Sequence, residues 1–216
     1  MNVLIIGAGG HGRTVADALL RIAMGGGPMR PSGFLDDTPA LQATRYMDVP
    51  VLGTLEEIDR VPHDALIVAV GDNRARRQIY LRLAAQGRRF ATVVHPTAAV
   101  PLDFEIGPGS YLGAKAVVGI ATRVGANCIV NGAGVLGHHN RVGDHAHLGP
   151  AVHSTRDVRI GEGTMIGVGA NIVSGISIGA WSVVGAGSLV TRDIPGGVVA
   201  YGAPARVVRG ASGVSQ

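Results

Sequence analysis

The sequence predicts an α/β unit over residues 1–92, a parallel β-solenoid over residues 93–195, and a C-terminal loop and tail over residues 196–216. The apolar run NVLII precedes the glycine-rich stretch GAGGHGR and an amphipathic stretch, which is the order of a strand, a turn and a helix. From Ile106 to Val190 every sixth residue is aliphatic in fourteen of fifteen cases, Ser154 being the exception. The residue after this position is glycine eleven times.

The six-residue period predicts a short strand and a turn in each repeat, and three repeats close one triangular coil. The aliphatic residues then point inward and stack between coils. We expect glycine to follow them because it tolerates the strained backbone that a corner needs. Five coils at a strand spacing of ~4.8 Å give a prism about 24 Å tall.

The α/β unit is predicted to hold roughly four parallel strands, with the first glycine turn at one end of the sheet. The other predicted elements are strands 33–37, 65–73 and 90–96 and helices 54–59 and 74–87. Gly7, Gly9 and Gly12 have the GxGxxG spacing, which brings backbone N–H groups toward a phosphate. Ligands of such sheets bind outside the carboxyl ends of the strands. Six residues fall at those ends: Gly9, Gly10, His11, Asp36, Asp37 and Gly71.

Each of these six residues could instead have a purely structural role, without binding a ligand. The glycines could serve only tight turns, His11 could be a surface residue at a helix start, and Asp36 and Asp37 could lie in a solvated turn.

Composition restricts the class of protein. A formal net charge of +4 and a pI near 9.8 suit anionic small molecules or nucleic acid, but aromatics are 4% and no Lys/Arg run occurs, which disfavours nucleic acid. No apolar run approaches the ~20 residues of a membrane span, and no cleavable leader precedes the first strand. We therefore expect a cytoplasmic protein without membrane insertion. The single cysteine, Cys128, occupies a small inward position and is interpreted as core filler.

The motifs GAGGHG, FLDD and VGDN, followed by the hexapeptide repeats, resemble the bacterial nucleotide-sugar N-acetyltransferases of the hexapeptide-repeat family. This family includes enzymes acting on UDP-4-amino sugars and GDP-perosamine, and sialic acid O-acetyltransferases are related to it. The GAPAR segment resembles the loop after the last coil. The resemblance implies a left-handed β-helix, acetyl-CoA as cosubstrate and acetylation of the 4-amino group of a UDP- or GDP-linked deoxy sugar.

Five of the eight histidines lie within sixteen residues, and we expect them to face outward: His138, His139, His145, His147 and His153. They could provide a general base, form a metal site, or belong to a solvated face. The carbonic anhydrases that share the fold need two histidines two coils apart. No pair in this cluster has that spacing, so no metal is expected.

The resemblance also implies roles for single residues. His138 begins the segment HHNRVG and matches the family's histidine base, while His139 stands where a glutamate often assists it. His147 matches a histidine that contacts the thioester region of acetyl-CoA. Backbone contacts to CoA fall near Val168 and Ala186. The six residues at the strand ends would address the nucleotide sugar.

His138 and His147 are half a coil apart, on one wall and the next, so one chain places them poorly for a shared site. This predicts a homotrimer with sites between subunits and direct acetyl transfer with His138 as base. Three other functions are open from the sequence: a sugar or sialic acid O-acetyltransferase, an NAD-binding oxidoreductase, and a non-catalytic binding protein.

Overall fold

The computed structural model describes residues 1–211, an α/β unit that continues into a three-walled parallel β-solenoid. The α/β unit contains strands β1 (Asn2–Ile6), β2 (Arg30–Leu35), β3 (Arg45–Tyr46), β4 (Val49–Pro50) and β5 (Ala65–Val68), helices α1 (Gly10–Met24) and α2 (Asn73–Ala85), and 3-10 helices Pro39–Leu41 and Leu55–Arg60.

Three parallel strands in the order β2-β1-β5 form the sheet, rather than roughly four. Phe90 adds a single parallel bridge to Leu66, and the chain then leaves the sheet for the solenoid. The hairpin of β3 and β4 was not predicted. Its turn residues Met47 and Asp48 both have positive φ, of 50° and 62°, and methionine gives no turn signal in a sequence.

The solenoid has three walls, each named here by a property of its outward face. The junction wall, which contacts the α/β unit, contains β6 (Val93–Val94), β8 (Tyr111–Leu112), β11 (Ile129–Val130), β14 (His147–Leu148), β17 (Met165–Ile166), β20 (Val183–Val184) and β22 (Val198–Gly202). The apolar wall contains β9 (Val117–Val118), β12 (Val135–Leu136), β15 (His153–Ser154), β18 (Asn171–Ile172) and β21 (Leu189–Val190). The arginine wall contains β7 (Glu105–Ile106), β10 (Arg123–Val124), β13 (Arg141–Val142), β16 (Arg159–Ile160) and β19 (Ser177–Ile178).

The second residue of each short strand points into the prism, as the six-residue period predicts. These aliphatic side chains are buried and form one continuous core. Ser154, the exception in the period, is also buried, and its Oγ accepts a hydrogen bond from Asn140 Nδ2 at 2.7 Å. The break in the aliphatic column is therefore filled by a satisfied polar pair.

The glycine after each aliphatic residue is explained by close approach between coils, not by backbone strain as we expected. A Cβ on Gly119 would lie 2.5 Å from the backbone nitrogen of His138 in the next coil. The left-handed conformation occurs two residues later, where side chains are tolerated. His139 and His145 occupy such positions, with φ of 62° and 61°.

A hydrophobic cluster, separate from the interior of the prism, joins the α/β unit to the outer face of the junction wall. Tyr111 and Ile129 of the junction wall pack into the cluster formed around β1 and α1. At the edge of this contact, Arg77 of α2 pairs with Glu162 at 3.1 Å, and Arg74 and Arg77 lie over the ring of Trp181. The apolar cluster thus holds the side of the unit that carries β1 and α1, while an ion pair and cation–π contacts hold α2 against the solenoid.

The segment after Pro195 differs from the predicted loop. It forms β22, which pairs with β20 in parallel, and β23 (Ala205–Gly210), which returns antiparallel to β22. The alternating VVAYG and ARVVRG pattern is short and interrupted by glycine and proline, which obscured the strands. From the sequence, the tail of residues 211–216 is expected to be disordered, and all of it except Ala211 lies outside the described residues.

Candidate active site

The glycine turn after β1 has two kinds of glycine. Gly7 has φ of +104°, and a Cβ on Gly12 would lie 2.0 Å from the Gly7 carbonyl oxygen, so both are required by the fold. Gly9 and Gly10 are exposed, and a Cβ on either would meet nothing within 4 Å. Packing therefore explains the first pair, while the second leaves the backbone at the start of α1 open to a ligand.

Asp36 and Asp37 lie at the carboxyl end of β2, beside this turn. They border a cleft of about 130 Å³ that Gly7 and Val70 also line. Asp36 accepts hydrogen bonds from the backbone N–H of Ala8 (2.7 Å) and of Thr38 (2.9 Å). Burial alone would raise the pKa of Asp36, but these hydrogen bonds outweigh it and the pKa lies below its ordinary value.

Asp37 is exposed and accepts a hydrogen bond from the backbone N–H of Leu55 at 2.8 Å. Its carboxylate holds the start of the 3-10 helix Leu55–Arg60, as a capping residue would. Both aspartates thus have structural partners, and each retains oxygen lone pairs toward the cleft.

Three of the predicted site residues meet where the α/β unit contacts the junction wall. His147 Nδ1 lies 3.3 Å from the Gly71 carbonyl oxygen, and its Nε2 lies 2.9 Å from Asn131 Nδ2. Since a carbonyl can only accept, Nδ1 carries the proton and Nε2 accepts from the amide. His11 stands close by, with its ring edge-on to Tyr111 at a centroid distance of 5.3 Å.

Both of these imidazoles are neutral at physiological pH. Burial lowers the pKa of His147 to about 4, assisted by the charge of Arg76 and opposed by the hydrogen bond to Gly71. Burial, then His147 and Arg76, lower the pKa of His11 to about 3. A neutral ring can orient a substrate through hydrogen bonds, but a pKa this low makes it a weak base.

His138 and His139 occupy the corner between the apolar and arginine walls, not a wall as we expected for His138. This corner is opposite the junction wall, which carries His147. Both side chains are exposed, and their Nδ1 atoms are 2.9 Å apart. Because one nitrogen must donate and the other accept, His139 can hold the proton of His138 Nδ1 and leave its Nε2 lone pair free.

Val168 and Ala186 stand one above the other at the corner between the junction and apolar walls. Both are exposed, and Gly187 N–H donates to the Val168 carbonyl at 2.8 Å, which keeps the two coils in register. Within residues 1–211, the backbone N–H groups of Val168 and Ala186 have no hydrogen-bond acceptor. The corner thus presents two stacked donors to an extended ligand.

The other two clustered histidines have different environments. His145 is 5% exposed, contrary to the expectation that all five face outward, because its corner is covered by helix α2. His145 Nδ1 lies 2.9 Å from Asn127 Nδ2. His153 is exposed on the apolar wall.

Cys128 is 1% exposed, and burial raises the pKa of its thiol to about 12. A thiol that stays protonated is a poor nucleophile, so the site offers no covalent acyl carrier at this residue.

Sequence reasoning missed Arg76, Asn131 and Tyr111. Asn131 had a signal, because it replaces glycine in the position after an aliphatic residue. Arg76 had none, since it is one of three arginines within four residues of one helix. Tyr111 reads as an ordinary wall residue.

Within residues 1–211, no group of three His, Cys, Asp or Glu side chains is placed to hold a metal ion. None of the helices in this part of the chain has the length and apolar character needed to cross a bilayer.

Acidification is expected to destabilise the fold between pH 6.5 and about pH 4. The unfolded chain protonates its histidines near the ordinary pKa of 6.5, whereas folded His147 resists protonation down to about 4. The contribution of neutral His147 to stability is therefore fully present above pH 6.5 and decreases as the pH falls.

Calorimetry should show a melting temperature several degrees lower at pH 5 than at pH 7.5. His147→Asn should flatten this dependence, whereas the exposed variant His138→Asn should not. Parallel curves of melting temperature against pH for the wild type and both variants would contradict a buried neutral His147.

Comparison with known proteins gives two family matches. The PglD N-terminal domain family matches residues 2–83, and the bacterial transferase hexapeptide family, six repeats, matches residues 157–192. The predicted fold class, an α/β unit followed by a left-handed parallel β-helix, is confirmed by these matches together with the topology described above.

Solved structures match nearly the whole chain. PerB from Caulobacter crescentus in complex with CoA and GDP-perosamine is 32% identical, with a TM-score of 0.88, over 96% of this chain and 97% of that one. A histidine-to-asparagine mutant of perosamine N-acetyltransferase from the same organism, with the same ligands, is 31% identical, with a TM-score of 0.88 and the same coverage. The acetyltransferase domain of PglB from Neisseria gonorrhoeae, in complex with acetyl coenzyme A, is 32% identical, with a TM-score of 0.86, over 96% of this chain and 98% of that one.

Among curated proteins, the UDP-N-acetylbacillosamine N-acetyltransferase of Bacillus subtilis is 36% identical over 113 residues, which are 51% of this chain. The match spans half the length of that relative, 50%.

Proposed function

Because the chain belongs to the hexapeptide-repeat family of nucleotide-sugar N-acetyltransferases, we propose that it transfers the acetyl group of acetyl-CoA to the 4-amino group of a UDP- or GDP-linked amino deoxy sugar. The observation that carries this proposal is the likeness, over almost the whole chain, to a protein solved with CoA and GDP-perosamine. The expectation of a cytoplasmic protein is part of the same proposal.

The working form is a homotrimer that packs through its apolar walls. Three of the five outward residues of that wall are aliphatic, with Val117 45% and Leu189 37% exposed; the five are Val117, Val135, His153, Asn171 and Leu189. The junction wall is covered by the α/β unit, and the arginine wall presents Glu105 and a column of arginines to solvent. The apolar wall is therefore the face best suited to bury against a second copy.

The same wall explains how one site can use two subunits. His138 lies at one edge of the apolar wall, and Val168 and Ala186 lie at the other edge. When copies with inward-facing apolar walls are arranged around a three-fold axis, the first edge of one copy meets the second edge of the next. The imidazole of one subunit then stands beside the CoA-binding corner of its neighbour.

His138 acts as the general base. The sugar amine attacks the acetyl carbonyl carbon, so an N–C bond forms and a tetrahedral oxyanion develops, which a backbone N–H stabilises. Collapse breaks the C–S bond. The amine proton passes to His138 Nε2 and from there to the departing CoA sulfur, which leaves as the thiol. His138 Nδ1–H donates a hydrogen bond to His139 Nδ1, so His139 takes the orienting place of the usual glutamate without its charge.

His147 and the residues at the strand ends bind the two substrates, acetyl-CoA and the nucleotide sugar. Neutral His147, held by Gly71 and Asn131, contacts the thioester region from the junction wall. The nucleotide sugar lies along the glycine turn. Its proposed contacts are the backbone at Gly9 and Gly10, the His11 ring, the Asp36 and Asp37 carboxylates, and Gly71.

The test is product analysis with purified protein, acetyl-CoA and a panel of UDP- and GDP-linked sugars that differ only in a 4-amino or 4-hydroxyl group. We expect an N-acetylated amino sugar in equal amount to released CoA thiol, detected by mass spectrometry and a thiol reagent. Acetylation of the hydroxyl sugars alone would identify an O-acetyltransferase. Absence of thermal stabilisation by acetyl-CoA, together with no product, would contradict an acetyltransferase, and binding of NADH would support an oxidoreductase instead.

A further inference from the structure

Arg76 is a charged side chain at the centre of the contact between the α/β unit and the solenoid. It extends from α2, is 0% exposed, and donates all five of its N–H groups. The acceptors are the carbonyl oxygens of Asn127 (3.1 Å), Val70 (3.0 Å), Gly71 (3.0 Å) and His145 (2.8 Å), and Asn73 Oδ1 (2.7 Å).

None of these acceptors is a carboxylate, although a buried cation usually has one. Burial lowers the pKa of Arg76 to about 10, which still leaves it charged at neutral pH. The charge of Asp72 partly opposes this shift, but all five hydrogen-bond acceptors are neutral. Burying a charge is costly, and an apolar side chain of similar volume would often be as stable. The guanidinium therefore has a role that its contribution to stability does not explain.

The five bonds join the two parts of the proposed site. Two acceptors, Val70 and Gly71, belong to the loop after β5, and two others, Asn127 and His145, belong to consecutive coils. The Gly71 carbonyl that Arg76 holds is also the acceptor of His147 Nδ1, and His145 is two residues before His147. The planar fork of arginine fixes these carbonyls in one geometry, which a lysine could not do.

We propose that Arg76 is a positioning residue for acetyl transfer, which fixes His147 in one orientation and tautomer and keeps the sugar-binding loop aligned with it. This inference rests on the proposed function. The charge of Arg76 also disfavours the imidazolium form of His147 and so helps to lower the pKa of this histidine. Arg76 touches no reacting atom and acts through His147 and Gly71.

Arg77 provides a matched control. It is the next residue of the same helix and also links α2 to the solenoid, through Glu162 and Trp181, but it has no bond to Gly71, His145 or His147 among the described contacts. Arg77→Gln should change kcat by less than about twofold, because the ion pair is partly exposed. Arg76→Lys, which retains the charge but loses the fork, should lower kcat about 10- to 100-fold through misplacement of the site.

A spectroscopic measurement distinguishes positioning from general stability and does not need activity. Histidine ¹⁵N NMR of the wild type should show His147 as the Nδ1–H tautomer across pH 5.5–8, with the resonance assigned by His147→Asn. Arg76→Met should raise the pKa of His147, and Arg76→Lys should mix its tautomers while the pKa stays low. If the wild type transfers no acetyl group but the NMR result holds, the proposed function fails and the role of Arg76 in fixing His147 stands.

The inference is overturned if folded Arg76→Lys keeps kcat within twofold of the wild type and the His147 resonances of both Arg76 variants match those of the wild type. Should these variants fail to fold, Asn73→Ala removes one acceptor and leaves the guanidinium in place. It should then lower kcat about three- to tenfold, as a looser site does. An unchanged kcat in folded Asn73→Ala would also overturn the inference.

Discussion

Replacement of His138 by asparagine is expected to lower kcat at least about a hundredfold, the usual contribution of a general base. Asparagine retains a polar side chain of similar size but cannot take the proton of the attacking amine. The residue is exposed at a corner, so the melting temperature and the oligomeric state should not change. Steady-state kinetics with acetyl-CoA and the accepted amino sugar, at matched protein concentration, measures the effect.

The control for this variant is His63→Asn. His63 is a histidine of the α/β unit whose Nδ1 lies 2.6 Å from the Val61 carbonyl, away from the proposed site. The His63→Asn enzyme should retain the wild-type kcat. A His138→Asn enzyme within about threefold of the wild type would remove His138 from the mechanism.

Leu189→Arg is expected to dissociate the trimer and abolish turnover. An arginine at this exposed position of the apolar wall would bury unpaired charge at each interface, which costs several kcal/mol. Because the proposed site needs His138 from one copy and the Val168 corner from another, the monomer should be inactive even when folded. Sedimentation and kinetics on the same samples test this, with Arg159→Ser on the arginine wall as the control that should stay trimeric and active.

Subunit mixing tests the shared site without altering the interface. His138→Asn and His147→Ala chains should each form inactive trimers. Co-expressed in equal amounts, they should recover about a quarter of wild-type activity. Each site takes His138 from one chain and His147 from the next, and random assembly makes each of these residues intact in half of the sites. No recovery in confirmed mixed trimers would mean that each site lies within one chain.

The solenoid could be predicted from sequence because its determinant is local. An aliphatic residue in every repeat but one defines the interior, and the position of each residue in the period then gives its wall or corner. The same arithmetic could have placed His138 at a corner. The reason for the regular spacing of glycine could not be read in this way, since it depends on the distance of Gly119 from a backbone atom in the next coil.

The contact between the two parts of the chain was not predictable from any repeat. Helix α2 contains Arg74, Arg76 and Arg77, and nothing in their spacing tells which one is buried. The hairpin after Pro195 was also missed, because its pairing with β20 depends on where the last coil stops. The roles assigned to His138, His147 and the strand-end residues stay predictions until the experiments above are done.

The C-terminal hairpin has a consequence for how these prisms behave in concentrated solution. A stack of parallel coils ends in an unpaired strand edge, onto which another prism could add end to end and so propagate a filament. On the junction wall, β23 is the last strand at this end and runs antiparallel to β22, whereas the arginine and apolar walls end at β19 and β21. A coil that added end to end would therefore find no parallel continuation on the junction wall, so the hairpin disfavours growth of the parallel stack in that direction.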